Sequence, residues 1–251
     1  MERNFVPDIE DLIPPINDTA YKRVIAIGDI HGNFTKLMTL LEKVSITDDD
    51  FVIFLGDYID RGGEVGEVLE WVMAHKDKKN FVFLRGNHEQ MMLEVAYGRE
   101  NKITWLFNGG QTTLQGLSRM KAKDADFVDK FLTFANSLPL YHSMTIGGRE
   151  YFFCHAGVDS TVPLDKQDPY FLLWSREEFF HTYDGDAVIV SGHSPVQAFF
   201  EFGDDKPRPI KYPGKNILLT DTGSFLKKGY ISCVDIISGE FWQSEPLRRT
   251  I

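Results

Sequence analysis

The sequence predicts an α/β fold, a β-sandwich with helices packed outside its sheets, and two features of the chain carry that reading. Short apolar runs rich in β-branched and aromatic residues recur along it, and between the first three the apolar residues fall at helical spacing. Five of these runs are each followed, within a few residues, by a glycine-bounded polar cluster.

Residues 24–27, 51–55, 81–84, 151–153 and 187–190 are apolar throughout, as expected of strands covered on both faces. Phe34, Leu37, Met38 and Leu41, then Val65, Val68, Leu69 and Val72, mark amphipathic helices between the first three runs, so the chain opens β-α-β-α-β. Residues 89–137 read as mainly helical. Residues 217–220, 231–236 and 241–243 read as further strands, and the proline-containing stretch 201–213 as a long surface loop. No repeat or linker divides the chain, so one domain over residues 1–251 is expected, with residues 1–20 as an N-terminal extension.

A chain of 251 residues, 43% hydrophobic and 25% charged, is large enough for a full-sized core. Its net charge of −10 argues against a nucleic-acid partner and against an anionic membrane surface. Phosphate substrates stay open, because a few arginines and metal ions reverse the potential inside a cleft. Cys154 and Cys233 lack the spacing of a zinc site and read as buried free thiols. The acidic, proline-interrupted start has no signal-peptide pattern, and no apolar run reaches membrane-spanning length, so a cytoplasmic location is expected.

The five polar clusters are GDIHG at 28–32, GDYIDRG at 56–62, GNHE at 86–89, HAG at 155–157 and GHSP at 192–195. Strand carboxyl ends are where α/β sheets gather ligand-binding groups, so these side chains can converge on one crevice. Asp29 and His31, two residues apart, can point to one side of an extended segment and offer a carboxylate oxygen and an imidazole nitrogen to a cation. Asp57 can bridge through its two oxygens, and Asn87, His155 and His193 supply a second mixed set, which suits manganese, iron or zinc better than calcium. Two divalent ions about 3.5 to 4 Å apart can share a hydroxide that attacks phosphorus directly, with no serine or cysteine nucleophile.

With its motifs GDxHG, GDxxDRG and GNHE in order, the chain resembles the phosphoprotein phosphatase family of calcineurin-like metallophosphoesterases. It is most similar to the bacterial and phage-lambda-type serine/threonine protein phosphatases, through LRGNHEQMM at 84–92, WLFNGG at 105–110, SLPLYHSMTI at 137–146 and LWSRE at 173–177. The resemblance implies a calcineurin-like β-sandwich with its metal site at the carboxyl ends of the strands. It implies that Asp29, His31 and Asp57 hold one metal while Asp57, Asn87, His155 and His193 hold the other, manganese being the expected ion and iron or zinc the alternatives. Arg61 and Arg176, with Asn87, would bind the substrate phosphate, a guanidinium matching phosphate oxygens in pairs. His88 would protonate the departing oxygen, with Asp60 fixing its tautomer and favouring the imidazolium form.

His75, His142 and His181 lack a glycine-bounded strand end and read as core or surface residues, and Cys154 should face away from His155 into the core. Glu64, Glu67 and Glu70 read as the solvated face of the second helix. The DTGS turn at 221–224 can line the site, without an assignable role. HAG stands where eukaryotic members read HGG, and the tail after Ile231 is too short for a regulatory domain, so their regulatory sites are not carried over. The expected substrates are phosphorylated proteins or peptides, with dinucleotides as an option. The alternative is a symmetrical dinucleoside tetraphosphate hydrolase, whose common form lacks the aspartate of DRG and reads GNHD, whereas Asp60 and Glu89 stand here. A non-catalytic phosphoprotein-binding module would be expected to lose a bridging ligand or the acid, and this chain keeps both.

Overall fold

The computed structural model describes residues 20–203 and 205–246, so the N-terminal extension expected at 1–20 lies almost wholly outside the described residues. The chain opens β1 (Arg23–Ile27), α1 (Phe34–Val44), β2 (Asp50–Phe54), α2 (Val65–His75), β3 (Phe81–Phe83). Four helices follow, α3 (Asn87–Ala96), α4 (Lys102–Trp105), α5 (Gln111–Lys123) and α6 (Phe127–Ser137), with a π-helical turn at Leu106–Gly110 between α4 and α5. The second half comprises β4 (Tyr141–Ile146), β5 (Arg149–Cys154), α7 (Pro169–Trp174), α8 (Glu177–Thr182), β6 (Val188–Ser191), β7 (Ile210–Lys211), β8 (Ile217–Leu219), β9 (Ser232–Asp235) and β10 (Phe241–Gln243).

These strands form two five-stranded sheets, in the orders β10-β9-β1-β2-β3 and β4-β5-β6-β8-β7. β1, β2 and β3 run parallel, as do β5, β6 and β8, so each sheet presents three carboxyl ends along one edge. Strand alternation sorts the side chains into three layers. Val24, Ala26, Ile53, Phe153, Val190 and Leu218 meet between the sheets. Ile25, Ile27, Val52 and Phe54 face the other way, against Leu37 and Leu40 of α1 and Val65, Val68, Leu69 and Val72 of α2. On the outer face of the second sheet Phe152, Cys154 and Ile189 pack against Leu172 of α7 and Phe179 and Phe180 of α8. β1, β2 and β6 are therefore covered on both faces, which is why their sequences are almost continuously apolar.

Three readings need correction. Residues 201–213 are not all loop, because β7 pairs antiparallel with β8 and Ile210 is buried; with only two residues it carries no period for a sequence to show. β4 was not expected as a separate strand, since its outward residues are polar and it lies at the sheet edge. Cys154 and Cys233 are buried free thiols, raised by burial, and among the described residues no helix is long and apolar enough to cross a membrane. Glu64 precedes α2 and accepts from Thr35 N and Oγ1, so it ties α2 to α1 and is more than a solvated charge. His75 stacks on Trp71, His142 is half-buried on β4, and His181 is exposed beside Glu177, none of them in the crevice.

Candidate active site

The parallel strand ends deliver the expected side chains to one place. Asp29 and His31 follow β1, and Asp57, Asp60 and Arg61 follow β2. β3 leads into α3, whose first two residues are Asn87 and His88; His155 follows β5 and His193 follows β6. All of them except Arg61 are buried. The backbone pays local attention to this site: of six non-glycine residues with positive φ among those described, five are His31, Asp57, Asp60, Arg61 and His193. Left-handed backbone disfavours side chains, so concentrating it here means that the surrounding contacts hold the turns in place. Glycines admit the close approaches: a Cβ on Gly86 would collide with Asp57 Oδ1, and one on Gly192 with Asp29 Oδ1.

Hydrogen bonds set the imidazole tautomers. His31 Nδ1 lies 3.0 Å from Ile59 O and His155 Nδ1 2.9 Å from Leu55 O, and a carbonyl can only accept, so both Nδ1 atoms carry the proton. Their Nε2 lone pairs turn inward. There His31 Nε2 faces Asp29 Oδ2 at 3.8 Å and Asp57 Oδ2 at 3.5 Å, while His155 Nε2 faces Asp57 Oδ1 at 3.5 Å and Asn87 Oδ1 at 2.9 Å. Acceptors point at acceptors, an arrangement that a cation between them satisfies. Asp29 Oδ2 and His193 Nε2 are also buried without a hydrogen-bond partner.

The residues present fit divalent ions, and they fall into two groups that share Asp57. His155 Nε2, His193 Nδ1 and Asn87 Oδ1 form a triangle with edges of 2.9, 3.1 and 3.1 Å. An ion about 2.1 Å from each of two ligands at right angles separates them by about 3.0 Å, so the triangle has the size of one face of a coordination polyhedron. On the other side of Asp57, His31, Asp57 and His88 offer atoms within 4.8 Å of one another. His88 is poorly suited to coordination, because its Nε2 lies 3.2 Å from the Arg61 guanidinium, and Asp29 with its bare oxygen is the better third donor.

Burial dominates the electrostatics. It raises Asp29 and Asp57 well above the usual carboxylate range, with Asp221 adding to Asp29, and Asp29 and Glu89 adding to Asp57. It lowers His31 and His193 well below the usual imidazole range and His155 to about 3. Divalent charge would reverse the first effect and exploit the second, since it favours carboxylates and binds neutral imidazoles.

His88 Nδ1 lies 2.6 Å from Asp60 Oδ2, a contact that directs the Nδ1 proton toward the carboxylate. Burial lowers the proton affinity of His88, with Arg61 and Arg176 adding to it, while Asp60 raises it and so favours the imidazolium form. Asp60 is itself fully held: Trp105 Nε1 donates to Oδ2 at 2.8 Å, and Thr113 Oγ1 donates to Oδ1 while accepting from Asp60 N at 2.9 Å. Arg61 N donates to Gly109 O, and its guanidinium lies 3.9 Å from the centre of the Phe225 ring. Arg176 sits exposed in the turn between α7 and α8, close enough to depress His88 and His193.

Sequence reading assigned no structural role to four supports. Glu89 accepts from the amides of Asp57, Tyr58, Ile59 and Gly86, so one carboxylate at the start of α3 shapes the turn after β2. The signal was available, as glutamate three residues past a helix N-cap reaches back to it. Trp105 and Thr113 stand 45 and 53 residues from Asp60, where no local pattern links them. Asp221 of the DTGS turn is buried, accepts from Gly223 N, is pushed up to about 6 by burial and raises Asp29.

Comparison with known proteins agrees with this architecture. The calcineurin-like phosphoesterase family model matches residues 22–227. The chain is 28% identical over 220 residues to serine/threonine-protein phosphatase 2 of Salmonella typhimurium, covering 84% of this chain and 91% of that protein. It is also 28% identical over 196 residues to an asymmetrical bis(5'-nucleosyl)-tetraphosphatase of Halalkalibacterium halodurans, covering 68% and 78%. That tetraphosphatase is of the asymmetrical kind, not the symmetrical kind suggested by sequence as the alternative. Among solved structures, a protein serine/threonine phosphatase from Saccharomyces cerevisiae superposes with a TM-score of 0.57 over 96% of this chain and 87% of its own, at 18% identity, a likeness of fold. The chain belongs to the calcineurin-like phosphoesterase family and is a metallophosphoesterase.

Proposed function

We propose that this protein is a dinuclear, divalent-metal phosphomonoester hydrolase acting on phosphoserine and phosphothreonine in polypeptides. One ion would be held by Asp29, His31 and Asp57 and the other by Asp57, Asn87, His155 and His193, with manganese the proposed ion and iron or zinc the alternatives. Bound there, the ions would supply Lewis-acid polarisation of a phosphoryl oxygen and an activated water.

The observation that carries the reading is the His88–Asp60 pair, 2.6 Å apart and buried beside Arg61. In ester hydrolysis water adds to phosphorus, the bond from phosphorus to the ester oxygen breaks, and that oxygen leaves as a strongly basic alkoxide unless it is protonated. An anhydride expels a phosphate, which needs little protonation. A dedicated acid therefore favours esters. Asp60 directs the Nδ1 proton outward from the crevice and leaves Nε2 to carry a proton to the leaving oxygen. His88 is depressed by burial and by Arg61 and Arg176. An arriving phosphate dianion offsets those two cations and raises the proton affinity of His88 when its proton is needed.

No ion pair engages Arg61 among the described residues, and its guanidinium would take phosphate oxygens together with Arg176 and Asn87. Beyond Arg176 opens a cleft of about 480 Å³ lined in part by Tyr170, Phe171, Trp174 and Glu178, where the polypeptide on one side of the phosphoresidue would lie. The test compares initial rates of one manganese-loaded sample on phosphoserine peptide, phosphotyrosine peptide and diadenosine tetraphosphate. Phosphoserine hydrolysis is expected to be efficient. Failure on every monoester with rapid cleavage of the dinucleotide would move the assignment to a tetraphosphatase.

A further inference from the structure

Phe225 follows the DTGS turn and belongs to no motif used above, yet its ring touches two groups of the site. The Arg61 guanidinium lies over the ring, 3.9 Å from its centre, and the His31 ring meets it edge-on at 5.2 Å and 88°. Arg61 needs such a partner. Its backbone is in the left-handed region with φ of 65°, its guanidinium has no carboxylate partner among the described residues, and its side-chain hydrogen bond is to His88 Nε2 at 3.2 Å. A long flexible side chain held by one hydrogen bond would sample several rotamers, and an aromatic face that attracts the cation removes most of them.

The loop that presents Phe225 is itself braced. Lys36 of α1 is buried and its Nζ donates to Ser224 O at 2.5 Å and to Gly229 O at 2.8 Å, pinning the loop on both sides of the phenylalanine. Gln197 Nε2 donates to Thr222 O, and Leu226 N donates to Gly223 O, closing the turn. A buried lysine spanning two carbonyls is a costly device for a surface loop without a task. The geometry points to Phe225 as a positioning residue that fixes the Arg61 guanidinium for substrate phosphate, with Lys36 bracing the loop that carries it. The inference rests on the reading that Arg61 grips the phosphate.

The experiment measures kcat and KM on nitrophenyl phosphate, and the inhibition constant of inorganic phosphate, for wild type, Phe225→Leu, Phe225→Tyr, Arg61→Ala and the Phe225→Leu/Arg61→Ala double variant, with metal content determined on each. Phe225→Leu should weaken phosphate binding and raise KM by about fivefold to twentyfold, with kcat changed by less than about twofold and metal content as in wild type. Phe225→Tyr should restore wild-type values. In the Arg61→Ala background Phe225→Leu should add nothing, because a positioning residue has no effect once its client is gone. Loss of metal in Phe225→Leu, or an undiminished effect in the Arg61→Ala background, would overturn the inference by showing that the ring acts through His31 or the fold. Unchanged phosphate binding in Arg61→Ala would instead overturn the role of Arg61, and this inference with it.

Discussion

Thr113→Val replaces one hydroxyl by a methyl of nearly the same volume, in a residue with no exposed surface, so it probes the support of Asp60 without opening a cavity. The hydroxyl makes two bonds: it donates to Asp60 Oδ1 and accepts from Asp60 N at 2.9 Å. The first is to a charged acceptor and contributes roughly 1.5 to 3 kcal/mol. The second, when lost, leaves a buried amide without a partner, which costs roughly 1 to 3 kcal/mol. Asp60 sits at φ of 68°, so the strained turn loses its anchor while Trp105 still holds Oδ2, which limits relaxation. The expected loss of stability is about 3 to 5 kcal/mol, large for an isosteric change. Urea unfolding of chelator-treated protein isolates this from metal binding, and the transition midpoint should fall without a change in its slope. Thr113→Ser should recover most of the loss. A change below about 1 kcal/mol for Thr113→Val would mean that Asp60 finds other partners and that the buried network does not stiffen the acid.

Asp57→Asn should lose more bound metal than Asn87→Ala, because Asp57 faces both ligand groups and Asn87 only one; metal content per chain decides, and full loading of Asp57→Asn would remove the bridging role. Trp105→Phe removes the indole donor to Asp60 and should slow phosphoserine peptide hydrolysis more than nitrophenyl phosphate hydrolysis, seen as unequal losses of kcat/KM. Burial lowers Lys36 to about 8 from its ordinary 10.5, so between those values the unfolded chain binds the extra proton and stability rises with pH. The stability of wild type minus that of Lys36→Met, from urea unfolding at pH 7.5 and 9.5, should therefore increase, and a flat or falling difference would refute the linkage.

How far the sequence spoke depended on whether a feature was local. The β-α-β-α-β opening and the five polar clusters were legible because each strand is continuously apolar and each cluster directly follows its strand end. Asp29, His31, Asp57, Asn87, His155 and His193 could be gathered on one crevice by the strand-end rule alone, before any contact was known. β7 was not legible, since two residues at a sheet edge carry no period. Thr113, Trp105 and Phe225 were not legible either, because each acts on a site residue only through the tertiary fold, across 53, 45 and 164 residues of chain respectively. The environment of His88 was not legible either: burial, with Arg61 and Arg176 adding to it, lowers the proton affinity that Asp60 raises.

The central claim is that the buried His88–Asp60 pair supplies a proton to an ester oxygen, and the most direct measurement is the ratio of wild-type to His88→Asn kcat/KM on two esters of different leaving-group basicity, at matched metal occupancy. A serine alkoxide needs the proton and a nitrophenolate does not. The account predicts a loss on the order of 10² to 10⁴ on phosphoserine peptide and a clearly smaller loss on nitrophenyl phosphate. Equal losses on both, with chemistry limiting both rates, would contradict it.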